Sequence, residues 1–118
     1  MYFLGNAPSL GINPFYGDNA IIYYLLGTTN WTSPFGGLTA LLWNPRAQTG
    51  DGNFGVKANC FGFTIIGTAN IPIMVEACTN LGGAWTPLQT CTVANGSIYF
   101  RDPQWTNYPN RYYRIHSP

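Results

Sequence analysis

A chain of 118 residues has room for one domain, or at the limit two very small ones. Only 8% of it is charged and the formal net charge is +1. That argues against a nucleic-acid partner, because neutralising several phosphates needs clustered cations. Arg46, Lys57, Arg101, Arg111 and Arg114 are instead scattered or gathered near the C-terminus. Hydrophobic residues at 46% and aromatics at 16% exclude a disordered chain, and no apolar run approaches the roughly 20 residues of a membrane helix.

Fourteen Gly and nine Pro imply many turns, hence short strands rather than long helices. Residues 1–43 are apolar and aromatic and repeat themselves faintly. Tyr2-Phe3-Leu4-Gly5 recurs in kind as Tyr23-Tyr24-Leu25-Leu26-Gly27, an offset of 21 to 22 residues. Self-similarity at that period is the mark of a solenoid, each unit being one rung. A lone rung leaves a face open, so Tyr2, Phe3, Tyr23 and Tyr24 are expected to form an adhesive surface on which upstream repeats stack. Residues 44–60 are polar and Gly-rich and read as a linker or long loop.

Residues 61–118 read as a series of strands with no helical period. Phe61–Ile66 places Phe61, Phe63 and Ile65 on one face. The alternation over Ile71–Thr79 puts Ile71, Ile73, Val75 and Ala77 on one side and Met74, Glu76 and Cys78 on the other. Asn80-Leu81-Gly82-Gly83 is turn chemistry, and Trp85–Val93 is the returning strand. Asn95-Gly96 between alternating runs predicts a type I′ hairpin that pairs Val93 with Ile98 and Cys91 with Phe100. Arg111–His116 forms the last strand. The expectation is all-β: terminal leucine-rich-repeat rungs, a Gly-rich joint, and a small antiparallel sandwich of the immunoglobulin or fibronectin kind.

Two resemblances sharpen this. Ser9-Leu10-Gly11, Phe15, Gly17 and Ile21 through Leu25 resemble the repeat of bacterial BspA-type leucine-rich-repeat surface proteins. Pro14, Asp18 and Leu26 depart from that pattern, as a degenerate capping repeat would. Val75 through Leu81, Trp85-Thr86-Pro87, Asn95-Gly96-Ser97, Asp102-Pro103 and Asn107 through Arg114 are similar to a C-terminal β-sandwich module of long secreted proteins of Verrucomicrobia. The resemblance implies a surface or extracellular location and no established activity. The chain opens without a basic, apolar leader, and the two observations reconcile if it is the C-terminal piece of a longer protein.

Chemistry-bearing residues are few. Cys60, Cys78 and Cys91 are odd in number and lack metal-ligand spacing, and His116 is the single histidine, so neither a metal nor a cofactor is expected. Asp18, Asp51 and Asp102 sit in turn-like surroundings, and no Gly-x-Ser-x-Gly elbow accompanies His116, so no catalytic residue is assigned. Glu76 lies mid-strand in an apolar run and needs a partner if its face is covered; Arg114 on the last strand is the natural one. Among the aromatics, Trp105 and Tyr108 lie in a Pro-bounded loop where flat faces can stack on sugar rings. The expected function is therefore a non-enzymatic interaction module recognising a protein or a surface glycan, with carbohydrate binding through Trp105 and Tyr108 as the alternative.

Overall fold

The computed structural model describes residues 1–11, 15 and 17–118. Among them the fold is all-β: ten strands in three sheets, with two three-residue 3-10 turns. Two compact units divide at Asn44/Pro45. Pro14 of the repeat pattern lies outside the described residues.

The first unit is a parallel sheet of β1 (Tyr2–Phe3), β2 (Ile22–Leu25) and β3 (Ala40–Trp43). Tyr2 pairs with Tyr23 and Tyr23 with Leu41, so successive strands are 21 and then 18 residues apart. Tyr2, Phe3, Tyr23 and Tyr24 do not share one face, because neighbouring residues of a strand point to opposite sides. Tyr2 stacks on Tyr23 with centroids 4.9 Å apart, on one side. Phe3 and Tyr24 instead pack with Trp31 against a core of Ile22, Phe35, Leu38 and Ala40. Long connections close that core. Trp31 anchors one of them by donating its indole N–H to the Gly5 carbonyl at 3.2 Å.

The second unit holds two antiparallel sheets. In one, β6 (Cys60–Ile66) is central, flanked by β9 (Ser97–Asp102) and, in tandem along its other edge, by β4 (Arg46–Gln48) and β5 (Gly55–Lys57). The stretch 44–60 expected as a linker thus supplies two edge strands. Its Gly-rich middle is the excursion between them, turned by Asp51, whose Oδ1 accepts the Asn53 N–H at 3.0 Å. In the other sheet, β7 (Pro72–Cys78) lies between β8 (Thr86–Thr92) and β10 (Tyr112–His116). Ile73, Val75 and Ala77 of β7 are buried, as are Phe63, Ile65 and Phe100 of the first sheet. Tyr113 of β10 reaches across, stacking on Phe61 at 4.9 Å and meeting Phe63 and Phe100 edge-on.

The Asn95–Gly96 expectation is corrected. Both residues have positive φ, 57° and 83°, as the dipeptide predicts. The strands it joins do not pair. Cys91 lies opposite Ile73 and Phe100 opposite Phe63, so the turn carries the chain from one sheet to the other. Local chemistry sets the dihedrals, but each flanking strand finds a more extensive apolar partner elsewhere, and the Gly96 carbonyl accepts the Gly67 N–H at 3.1 Å.

Candidate functional site

A polar cluster forms where the end of β9 meets the approach to β10. Asp102 is buried. Its Oδ1 accepts the Gln104 N–H at 2.9 Å, closing the turn expected at Asp102-Pro103. Its Oδ2 accepts the Tyr113 hydroxyl at 2.8 Å and lies 2.8 Å from Arg111 Nε. That Nε is buried with its N–H direction outside hydrogen-bond geometry, so the contact is an ion pair. The guanidinium also lies 4.0 Å above the Tyr108 ring. Burial, followed by the hydrogen bond to Asp102 and the charge on it, raises the Tyr113 pKa well above the usual tyrosine value. The phenol is therefore held neutral as a donor to the carboxylate.

Trp105 and Tyr108, the candidate ligand-binding pair, border this cluster. Trp105 is half-buried and donates its indole N–H to the Asn59 carbonyl at 3.1 Å. Tyr108 is 40% exposed with one ring face against Arg111. Together with Phe61, Pro109, Arg111 and Tyr113 they line a depression of about 160 Å³. The structure thus brings both aromatics to one concavity while tying Trp105 into the fold.

Glu76 and Arg114 are brought together as well. They are directly paired across β7 and β10, and Arg114 Nε donates to Glu76 Oε2 at 2.6 Å. Glu76 is buried, and the Arg114 guanidinium lies 4.4 Å from the centre of the Trp85 ring. Asn95 and Gly96 form the inter-sheet turn described above.

The remaining chemistry is held in structural contacts. Asp18 Oδ1 accepts the Ala20 N–H at 2.9 Å, and the Asn53 N–H lowers the Asp51 pKa. All three cysteines are free thiols. Burial pushes the Cys91 thiol up, away from thiolate chemistry. Arg101, the cation nearest it in sequence, belongs to the other sheet. His116 is exposed, with Nδ1 2.7 Å from the Ser117 carbonyl. The Asp102–Arg111–Tyr113 cluster was not assigned from sequence. The signal was the i, i+2 spacing of Arg111 and Tyr113, which puts them on one side of an extended chain.

Comparison with protein-family models, with curated proteins and with solved structures finds no match for this chain.

Proposed function

We propose that the chain is a non-enzymatic interaction module of a secreted or cell-surface protein. In this reading residues 1–44 are terminal rungs of a leucine-rich-repeat solenoid, and residues 45–118 are an immunoglobulin- or fibronectin-like sandwich. One observation carries it: the parallel ladder in which Tyr2, Tyr23 and Leu41 stand side by side at spacings of 21 and 18 residues. Parallel strands recurring at near-constant spacing are what a stack of single-rung units produces, and the outer edge of β1 is where upstream rungs would stack. The non-catalytic part is supported by the carboxylates: Asp18 and Asp51 close turns, while Glu76 and Asp102 are paired with arginines. The bacterial surface location rests on the two resemblances in the sequence.

Brief trypsin treatment of intact producing cells tests the location. Peptides of this chain should be released before lysis; recovery only after lysis overturns it. A glycan array tests the second reading, carbohydrate binding, which the exposed Tyr108 ring and its depression favour. The first reading expects no sugar signal that Tyr108→Ala removes. A sugar bound by the parent chain and lost in Tyr108→Ala, with melting unchanged, replaces it.

A further inference from the structure

The outer face of the β6 sheet is built unlike its inner face. Phe61, Phe63 and Ile65 point inward, so Cys60, Gly62 and Thr64 point outward together with the residues paired to them. Those partners are Lys57 opposite Cys60, Gly55 and Arg101 on either side of Gly62, and Tyr99 opposite Thr64. Two glycines side by side leave the middle of this face without side chains. Gly62 is nonetheless buried, because the hydroxyl end of Tyr99 leans over it. An added Cβ there would stand 2.6 Å from the Tyr99 hydroxyl oxygen and 2.5 Å from the Phe100 carbonyl oxygen. One side of the Tyr99 ring thus rests on glycine backbone, while the residue stays 42% exposed. The result is a trough of about 280 Å³ lined by Asn53, Lys57, Ala58, Thr64, Tyr99 and Arg101.

The cations of this trough are not neutralised inside the fold. Arg111 and Arg114 are each ion-paired with a carboxylate. Arg101, by contrast, has no ion pair, side-chain hydrogen bond or ring contact among the described residues. Lys57 donates to the amide oxygen of Asn53 at 3.0 Å and, among the described residues, meets no carboxylate. The turn Ala58–Asn59, with φ of 49° and 60°, ties β5 to β6 and fixes Lys57 beside Cys60. Asp51 stands at the rim, where the Asn53 N–H and then the Thr64 hydroxyl favour its charged form. Two cations against one carboxylate leave a single positive charge, which suits one carboxylate better than a phosphate dianion or a polyanionic backbone. The remaining walls suit a sugar. The free side of the Tyr99 ring can stack on the apolar C–H face of a pyranose. Asn53, Thr64 and Asp51 supply acceptors for its hydroxyls.

We propose that this trough binds an acidic sugar unit, a pyranose ring bearing one carboxylate. Arg101 and Lys57 take the carboxylate, the Tyr99 ring takes the C–H face, and Asn53 and Asp51 take the hydroxyls. The probe is a galacturonate trimer titrated into the isotope-labelled full chain at low salt. Amide signals of Gly55, Gly62 and Thr64 and the Arg101 Nε–H signal should shift together and saturate. The methyl-esterified trimer, which keeps the rings and loses the charge, should bind at least roughly tenfold more weakly. Acetate, which keeps the charge and lacks the ring, should leave the Tyr99 ring signals unmoved. Arg101→Gln, at an exposed position, should lower affinity for the acid roughly tenfold. Tyr99→Leu, which still covers Gly62, should weaken acid and ester alike, with amide exchange at Phe63 reporting that the fold is kept. No shift at these amides, equal binding of acid and ester, acetate reproducing every shift, or full binding by Arg101→Gln or a folded Tyr99→Leu overturns the proposal. The trough shares no lining residue with the Tyr108 depression, so Tyr108→Ala should bind the trimer as the parent does. Loss of binding in Tyr108→Ala would move the sugar to that depression and overturn this site. None of the other outcomes involves Tyr108 or surface location, so failure here is distinguishable from failure of the functional reading.

Discussion

The two halves of this chain build β-structure by different means. In residues 1–44 the strands are two to four residues long and parallel, and each contributes little burial of its own. The core there, Ile22 with Phe35, Leu38 and Ala40, is completed by side chains from the connections. In residues 45–118 strands of up to seven residues pair antiparallel, and the buried set comes mainly from the strands themselves. A strand of the first unit therefore depends on the connections and on its neighbours, whereas the second unit is held mainly by residues of its own strands. Cooperative stability should follow that division.

The largest effect tests the division directly. Ile22 is fully buried at the centre of the small first core, and Ile22→Ala should cost about 3 kcal/mol there. Amide protection around Ile22 and Ala40 should be lost, while Ile73 and Val75 remain protected. If all four lose protection together, the two units unfold as one and the comparison breaks.

Next in size is the inter-sheet turn. At Gly96, φ is +83°, and an added Cβ would stand 3.2 Å from the Gly67 carbonyl oxygen. Gly96→Val should therefore cost about 2 kcal/mol of strain in the second unit. Because the turn joins sheets rather than hairpin strands, protection should fall in both β8 and β9 and also at Gly67. An unchanged melting temperature would mean that the backbone does not adopt this conformation.

What could be read from the residues follows the range of the interactions. Alternation in Pro72–Cys78 and in Phe61–Ile66 is local, and the strands and their inner faces were legible from it. Asn95-Gly96 correctly signalled positive φ, since the dihedrals answer to local sterics. Its pairing was not legible, because the competition between Val93–Ile98 contacts and the β6 and β7 surfaces is decided across the fold. The edge strands β4 and β5 were hidden for a related reason. Arg46–Gln48 and Gly55–Lys57 carry little apolar signal, and pairing along β6 makes them strands. The Asp102 cluster joins residues nine and eleven apart through a Pro-bounded turn, and spacing alone does not measure that closure.

A smaller effect separates the second unit's outer face from its apolar core. Glu76 is buried, whereas its partner Arg114, which lies against the Trp85 ring, is 41% exposed, so solvent screens part of the attraction. The coupling between Glu76→Gln and Arg114→Met should be about 1.5 kcal/mol in a double-mutant cycle at low salt. Additive costs, with coupling under roughly 0.5 kcal/mol, would show that the pair adds geometry but no stability.

The smallest effect is confined to alkaline pH. Tyr113 is partly buried and donates to Asp102, and both influences favour the protonated phenol in the folded chain. Its folded pKa is therefore raised above the ordinary value of 10.0. Below that value both states keep the proton, and the contribution to stability is fully present. As pH rises past it, the unfolded chain releases the proton while the folded chain holds it, so the contribution declines towards the folded pKa. At neutral pH, Tyr113→Phe should cost under about 1 kcal/mol, because Asp102 keeps Arg111 and the Gln104 N–H as partners. Above pH 10 the parent chain should lose stability more steeply than the variant, and the two curves should converge. Denaturant melts from pH 8 to 11.5, followed at second-unit amides, measure this; parallel curves would mean that the phenol titrates alike in both states.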